Sequence, residues 1–276
     1  MTLSERNIFF KVGIAFCFVI ILLMIIASLL TLPVYSSIEE NFRRPANFFR
    51  ILSGLFLEND YNAVHVSLIL AVLFSFAGIL FIYSFFERTS APEIIYISFF
   101  TISLSFEIIR LILPLHLIYT FPSFYMLSAS RLLLFARYFG IFSLFTASVC
   151  AAGLEVQKTR NVIMTITIAV LFIVLGVPID IQSWDTGLNM TIGYSVFFRM
   201  IETIMFFVTA ITFFVAAKVR DSREYIFVGI GVIIALAGRN ILLGTDNWAG
   251  PVPGILLLSF GTWFICSKLH KIHLWL

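Results

Sequence analysis

The sequence is poor in charge. Of its 276 residues only 12% are Asp, Glu, Lys or Arg, whereas 61% are apolar. Soluble domains carry roughly a quarter charged and about half apolar residues. The shortage excludes a soluble enzyme, a nucleic-acid-binding domain and a disordered linker. Cysteine is scarce too. Cys17, Cys150 and Cys266 are dispersed in apolar stretches without C-x-x-C spacing, which points to neither a disulfide framework nor a zinc site. The sequence has no G-x-S-x-G elbow, phosphate-binding loop or H-E-x-x-H string. It has no mid-span lysine for a Schiff base, since Lys11 and Lys268 stand at span ends. These absences point away from a catalytic residue set, a metal centre and a cofactor.

What is present is a series of long apolar runs. A spanning helix takes about 20 mostly apolar residues to cross a hydrocarbon core of roughly 30 Å. The pattern predicts an all-α polytopic bundle of about eight spans with short loops. They run approximately Ile8–Leu32, Val64–Phe86, Ile94–Tyr119, Phe124–Ala152, Val162–Ile179, Thr191–Ala217, Tyr225–Leu243 and Val252–Lys268. Together they make one integral membrane domain that leaves no room for a soluble one. The first run exceeds the apolar core of a signal peptide and lacks an A-x-A-like site, so it reads as a retained helix. If it were cleaved, seven spans would remain. Heavy use of Phe, 32 residues in all, is accounted for by lipid-facing packing.

Eight spans put both termini on one side. That side, with the second, fourth and sixth connections, holds Arg6, Lys11, Arg88, Lys158, Arg160, Lys218, Arg220, Arg223, Lys268 and Lys271. The other side holds Arg43, Arg44 and Arg50. The positive-inside rule therefore places the termini in the cytoplasm, as in a bacterial inner membrane. The longest outer connection, residues 33–63, carries Phe48, Phe49, Leu52, Leu55 and Phe56 at helical spacing behind Asn47. This reads as an amphipathic helix on the outer interface or a lid over the bundle. Pro114 and Pro178 sit near outer span ends, where proline commonly terminates a helix. No broken-helix pattern of the transporter kind is evident.

Seven charges fall inside predicted spans: Glu107, Arg110, Arg131, Arg137, Arg199, Glu202 and Arg239. Each costs a few kcal/mol or more to insert, so such groups face a bundle interior, a cavity or a partner. Glu107–Arg110 and Arg199–Glu202 are i,i+3 pairs that share a helix face. The topology sets all seven between mid-membrane and the outer interface. Of 18 basic and 15 acidic residues, these five and two leave 13 of each elsewhere, so the formal excess of +3 lies within the spans. Arginine grips carboxylate and phosphate through a planar fork. The expected site is an outward cavity for an anion, with Arg110, Arg137 and Arg199 deepest and Arg131 and Arg239 nearer its mouth. Glu107 and Glu202 are the charge partners, and Ser103, Tyr119, Tyr138 and Tyr194 are neutral donors nearby. The plainer alternative is that Arg131 and Arg239 snorkel and the Glu–Arg pairs tie helices together.

Other motifs lead nowhere. Glu39, Glu40 and Arg44 match the E-E-x-x-x-R string of intramembrane prenyl-protein proteases, but the companion histidine motifs are missing. His65 and His116 lack the further ligands that a metal requires. The stripe Gly231, Ala235 and Gly238 implies close helix packing. The expected function is a binding or sensing module that recognises an anionic lipid headgroup or small anion and acts through a protein partner. The alternatives are an anion or proton-coupled transporter, a lipid-phosphate enzyme, and a structural subunit of a membrane complex.

Overall fold

The computed structural model describes residues 3–31, 59–87, 89, 91–153 and 159–274. The amphipathic stretch of the first connection and the Glu39, Glu40 and Arg44 string lie outside these, as do Arg88 and Lys158. Eight helical rods follow in order: α1 (Leu3–Thr31), α2 (Tyr61–Phe86), α3 (Glu93–Tyr119), α4 (Ser123–Ala151), α5 (Thr159–Gly176), α6 (Ser195–Val219), α7 (Glu224–Gly244) and α8 (Pro251–Leu274). Seven are long and apolar enough to cross a membrane. The eighth, α5, has 18 residues and reaches about 27 Å at ~1.5 Å per residue, just under a bilayer core.

Among the described residues the only strands are β1 (Ile179–Trp184) and β2 (Met190–Ile192), an antiparallel hairpin between α5 and α6. It corrects a purely helical reading, because Thr191 and Ile192 belong to β2 and α6 begins at Ser195. Pro178 does close α5, which ends at Gly176. Ile179, Ile181, Leu188 and Met190 seat the hairpin on Leu113 of α3 and Met126 of α4. Connections alternate, so the bundle has a termini end and a hairpin end.

In α3 the most apolar stretch is 72% buried, against 17% in α1, which makes α3 the central rod and α1 a lipid-facing one. α3 packs against α1, α2 and α4, while α6 and α7 close the far side against α4 and α8. Ile8, Val12, Phe18 and Leu22 of α1 point outward, as do Phe197, Met200, Ile204 and Phe207 of α6. Apolar surface of this kind is what hydrocarbon tolerates and water does not.

The closest helix contact is between α7 and α8. A methyl group on Gly254 would stand 2.6 Å from the Leu242 nitrogen, and one on Gly261 2.5 Å from that of Ala235. Gly238 meets the Leu258 nitrogen in the same way. Backbones that touch this closely admit only small residues. Seen from the sequence, the stripe on α7 had no partner; Gly254 and Gly261 of α8 supply it.

α3 is irregular in the middle. Residues Leu104–Leu111 form a 3-10 segment that resumes as α-helix over Ile112–Tyr119. Such a run is long for this geometry, and three residues account for it. The hydroxyls of Ser103 and Ser105 donate to the carbonyls of Phe100 and Ile102, both at 2.7 Å, and so compete with the regular ladder. Pro114 lacks the N–H that would reach the Arg110 carbonyl. Proline here loosens the turn before it instead of ending the helix, contrary to the reading of Pro114 as a terminator.

Candidate functional site

The 3-10 segment sets the site. Side chains at i and i+3 eclipse in this geometry, so Glu107 and Arg110 stand one above the other, Nε 3.1 Å from Oε2. Both are buried, 1% and 3% exposed. From α4, Arg137 grips the same carboxylate with both prongs: Nε donates to Oε1 at 2.7 Å and Nη2 to Oε2 at 2.6 Å. One buried carboxylate therefore holds two guanidiniums from different helices. Charge-assisted contacts of this bidentate kind are the strong ones. Arg110 Nη2 also donates at 3.0 Å to the Leu243 carbonyl, in the last turn of α7. That turn carries carbonyls without helical partners and a partial negative charge.

The hairpin supplies a fifth member. Asn189 Oδ1 accepts from Arg110 Nε and from Arg137 Nη2, each at 2.9 Å. Asn189 is fixed by Asp185, whose carboxylate accepts from the Asn189 backbone N–H at 2.7 Å and from its amide at 3.2 Å on each oxygen. The tight turn from Asp185 to Asn189, with Leu188 at φ 58°, is closed by Asp185 N–H on the Asn189 carbonyl at 2.9 Å. Short polar side chains that bond their own backbone are what make such turns.

The second i,i+3 pair behaves differently. α6 is regular helix, and Glu202 turns away from Arg199 to Arg239 of α7, accepting from its Nη1 at 2.6 Å. Arg239 is buried and Glu202 30% exposed. Among the described residues the Arg199 guanidinium has neither an ion pair nor a hydrogen bond, and it is exposed.

These groups surround two adjoining cavities at the hairpin end, of about 480 and 450 Å³. Arg137, Asp185, Asn189, Arg199 and Glu202 line both. Tyr138 and Ser195 belong to the first, and Arg110, Arg239, Asn240 and Asp246 to the second. They form one cleft between α4, α6, α7 and the hairpin. Four of the five arginines expected to meet do so. Arg131 lines neither cavity; six residues before Arg137 on a regular helix, it points about 120° away around α4. Of the neutral donors, Tyr138 lines the cleft, Ser103 is spent on its own backbone, and Tyr119 and Tyr194 are exposed.

Sequence reasoning missed Asn189, Asp185 and Asp246 as parts of this site. They lie in connections outside the predicted spans, and no spacing rule links a turn asparagine to arginines 52 and 79 residues away. They alter the balance of charge. The spans alone show a surplus of arginine, but the cleft counts Arg110, Arg137, Arg199 and Arg239 against Glu107, Glu202, Asp185 and Asp246, which is even. Also missed was Glu93 at the opposite end, fully buried, one oxygen 3.3 Å from His273 Nε2.

Among the described residues, no three His, Cys, Asp or Glu side chains come together in a way that could hold a metal ion. The three cysteines are buried and unbridged. The chain matches no family model, no curated protein and no solved structure.

Proposed function

We propose that this is a membrane-embedded binding module whose cleft at the hairpin end recognises an anionic group, on a lipid headgroup or a small solute. The observation that carries the reading is Arg199. Alone of the four cleft guanidiniums it has no partner among the described residues, yet it lines both cavities. The other three are committed to carboxylates, a side-chain amide and a backbone carbonyl. They form a rigid, positively lined floor, and Arg199 is the donor left for a ligand.

The ten cations on the termini side against three on the other support cytoplasmic termini in a bacterial inner membrane, which turns the cleft outward. A cytoplasmic protein partner would then read the bound state. No triad or metal set accompanies the arginines among the described residues, and this favours binding over chemistry on the ligand.

The test is thermal unfolding of the purified protein in an uncharged detergent, titrated with inorganic phosphate and with acetate. Binding to the folded state alone adds about 2.7 kcal/mol at a hundredfold excess over Kd. Wild type should gain stability with one of these anions and Arg199→Gln should not, while Arg131→Gln responds like wild type. Equal responses of Arg199→Gln and wild type would overturn the reading.

A further inference from the structure

We infer that the ligand of this cleft is a zwitterion, carrying a phosphate or carboxylate for Arg199 and an ammonium group for Asp185 and Asp246. The inference rests on the anion-binding reading above and goes on to name the ligand class.

Three guanidiniums have carboxylate partners, Arg110 and Arg137 on Glu107 and Arg239 on Glu202. Arg199 has none among the described residues. On the acidic side, Asp185 accepts only from neutral donors, the backbone and side-chain amides of Asn189. Asp246 accepts from the Thr186 hydroxyl. Neither aspartate forms an ion pair with a described residue. Among the described residues the cleft thus presents one cation from α6 and two carboxylates, from the hairpin and the α7–α8 connection, that make no direct ion pair, the carboxylates feeling Arg110 only through space, around a cavity of about 450 Å³.

Arg199 and Asp185 are exposed to the cleft and Asp246 is half-buried, so their charges are open to a ligand's own. Four cations and four anions make the described side chains of the cleft neutral in sum. A simple anion would leave it net negative beside two aspartates, and a simple cation net positive beside Arg199. A molecule with separated opposite charges and no net charge keeps the balance and meets both sets. Phosphoethanolamine diesters and α-amino acids have this chemistry. They differ in source, the former being also a lipid headgroup.

The test compares matched probes that differ only in the ammonium group. Glycerophosphoethanolamine is set against dimethyl phosphate, and glycine against acetate, each read as a thermal shift of the full-length protein in maltoside detergent. The zwitterion of at least one pair should act at about tenfold lower concentration than its anion, the value of one added charge-assisted contact. Asp246→Asn, alone and with Asp185→Asn, should bring each zwitterion and its matched anion to the same effective concentration. Arg199→Gln should abolish both responses. Native mass spectrometry of protein exchanged into mixed phosphatidylethanolamine and phosphatidylglycerol identifies the source. Selective retention of the ethanolamine lipid assigns the site to a headgroup; a soluble-probe response without lipid selectivity assigns it to a free solute.

Anions that act as well as their zwitterions would overturn this inference and leave the anion site standing. So would an advantage that survives Asp246→Asn and the double variant. Failure of every probe to shift wild type, with Arg199→Gln indistinguishable from it, would overturn the anion reading itself.

Discussion

The two ends of the bundle use arginine differently. At the termini end, Arg6 is buried and donates to the Phe86 carbonyl at 2.5 Å and to those of Thr89 and Glu87, which closes off α2. Arg220 does the same for α4, donating to the Ala151 carbonyl at 2.7 Å and that of Cys150 at 3.4 Å. Both satisfy carbonyls that a helix C-terminus leaves unpaired, where cations are favoured by the dipole. Glu224 gathers Lys268 and Lys271 at the rim. At the hairpin end the arginines meet carboxylates across a cleft, and Arg199 has no partner among the described residues. Cations bound to backbone carbonyls hold connections in place, whereas those at the hairpin end are paired with side chains around open volume, with Arg199 facing it.

The hardest break is Glu107→Gln. The amide keeps the shape and removes the charge that Arg110 and Arg137 share, which leaves two buried guanidiniums uncompensated. Removing one partner of a buried ion pair costs about 3–5 kcal/mol. A large fall in Tm is expected, and the triple variant Glu107→Leu, Arg110→Leu, Arg137→Leu should recover much of it, because buried ionic clusters can often be exchanged for apolar packing. A triple variant less stable than Glu107→Gln would show that the network contributes more than the matching of its own charges.

At the other end, Arg220→Gln should cost about 1.5–3 kcal/mol, the range for hydrogen bonds to charged groups. Its consequence should be local: hydrogen exchange should quicken at the end of α4 around Cys150 and Ala151, and ligand response at the hairpin end should be unchanged. A change in that response would mean that the two ends are coupled and not separate.

How much of this the sequence revealed follows from what each feature depends on. The long apolar helices rest on hydropathy and were legible: seven of the eight expected spans are long and apolar enough to cross a membrane. So was the gathering of intramembrane charge, because insertion cost makes every charged residue in a span conspicuous. The 3-10 segment was hidden. Ser103, Ser105 and Pro114 are each tolerated in regular helices, and their joint effect depends on packing against Gly140 of α4, whose added methyl would run into the Ser103 side chain. Partner choice was hidden as well. Two i,i+3 Glu–Arg pairs look alike in sequence, yet Glu107 keeps its neighbour while Glu202 reaches across to Arg239. The hairpin was missed because β1 and β2 are short and their apolar ends, Ile179 and Ile192, read as the ends of the flanking spans.

Asn189→Ala tests the contribution of the hairpin. It removes the oxygen shared by Arg110 and Arg137, both of which keep Glu107, so the loss should be about 1–2 kcal/mol, smaller than at Glu107. It should also free the turn from Asp185, read as faster hydrogen exchange across residues 185–189. Unchanged exchange there would mean that the hairpin is held by its apolar seat on Leu113 and Met126 alone.

The smallest effect on stability should come from Arg199→Gln, within about 0.5 kcal/mol, as for a surface group without partners. Stability and function separate most cleanly here. Arg137 and Arg199 line the same cavities, but Arg137 is tied to Glu107 and Asn189, so replacing it disturbs folding and binding together. Replacing Arg199 should leave the unligated Tm in place and remove only the ligand-dependent rise. If Arg199→Gln instead lowers the Tm by as much as Arg137→Gln, then Arg199 is structural, and the contrast between a closed end and an open one fails at its central residue.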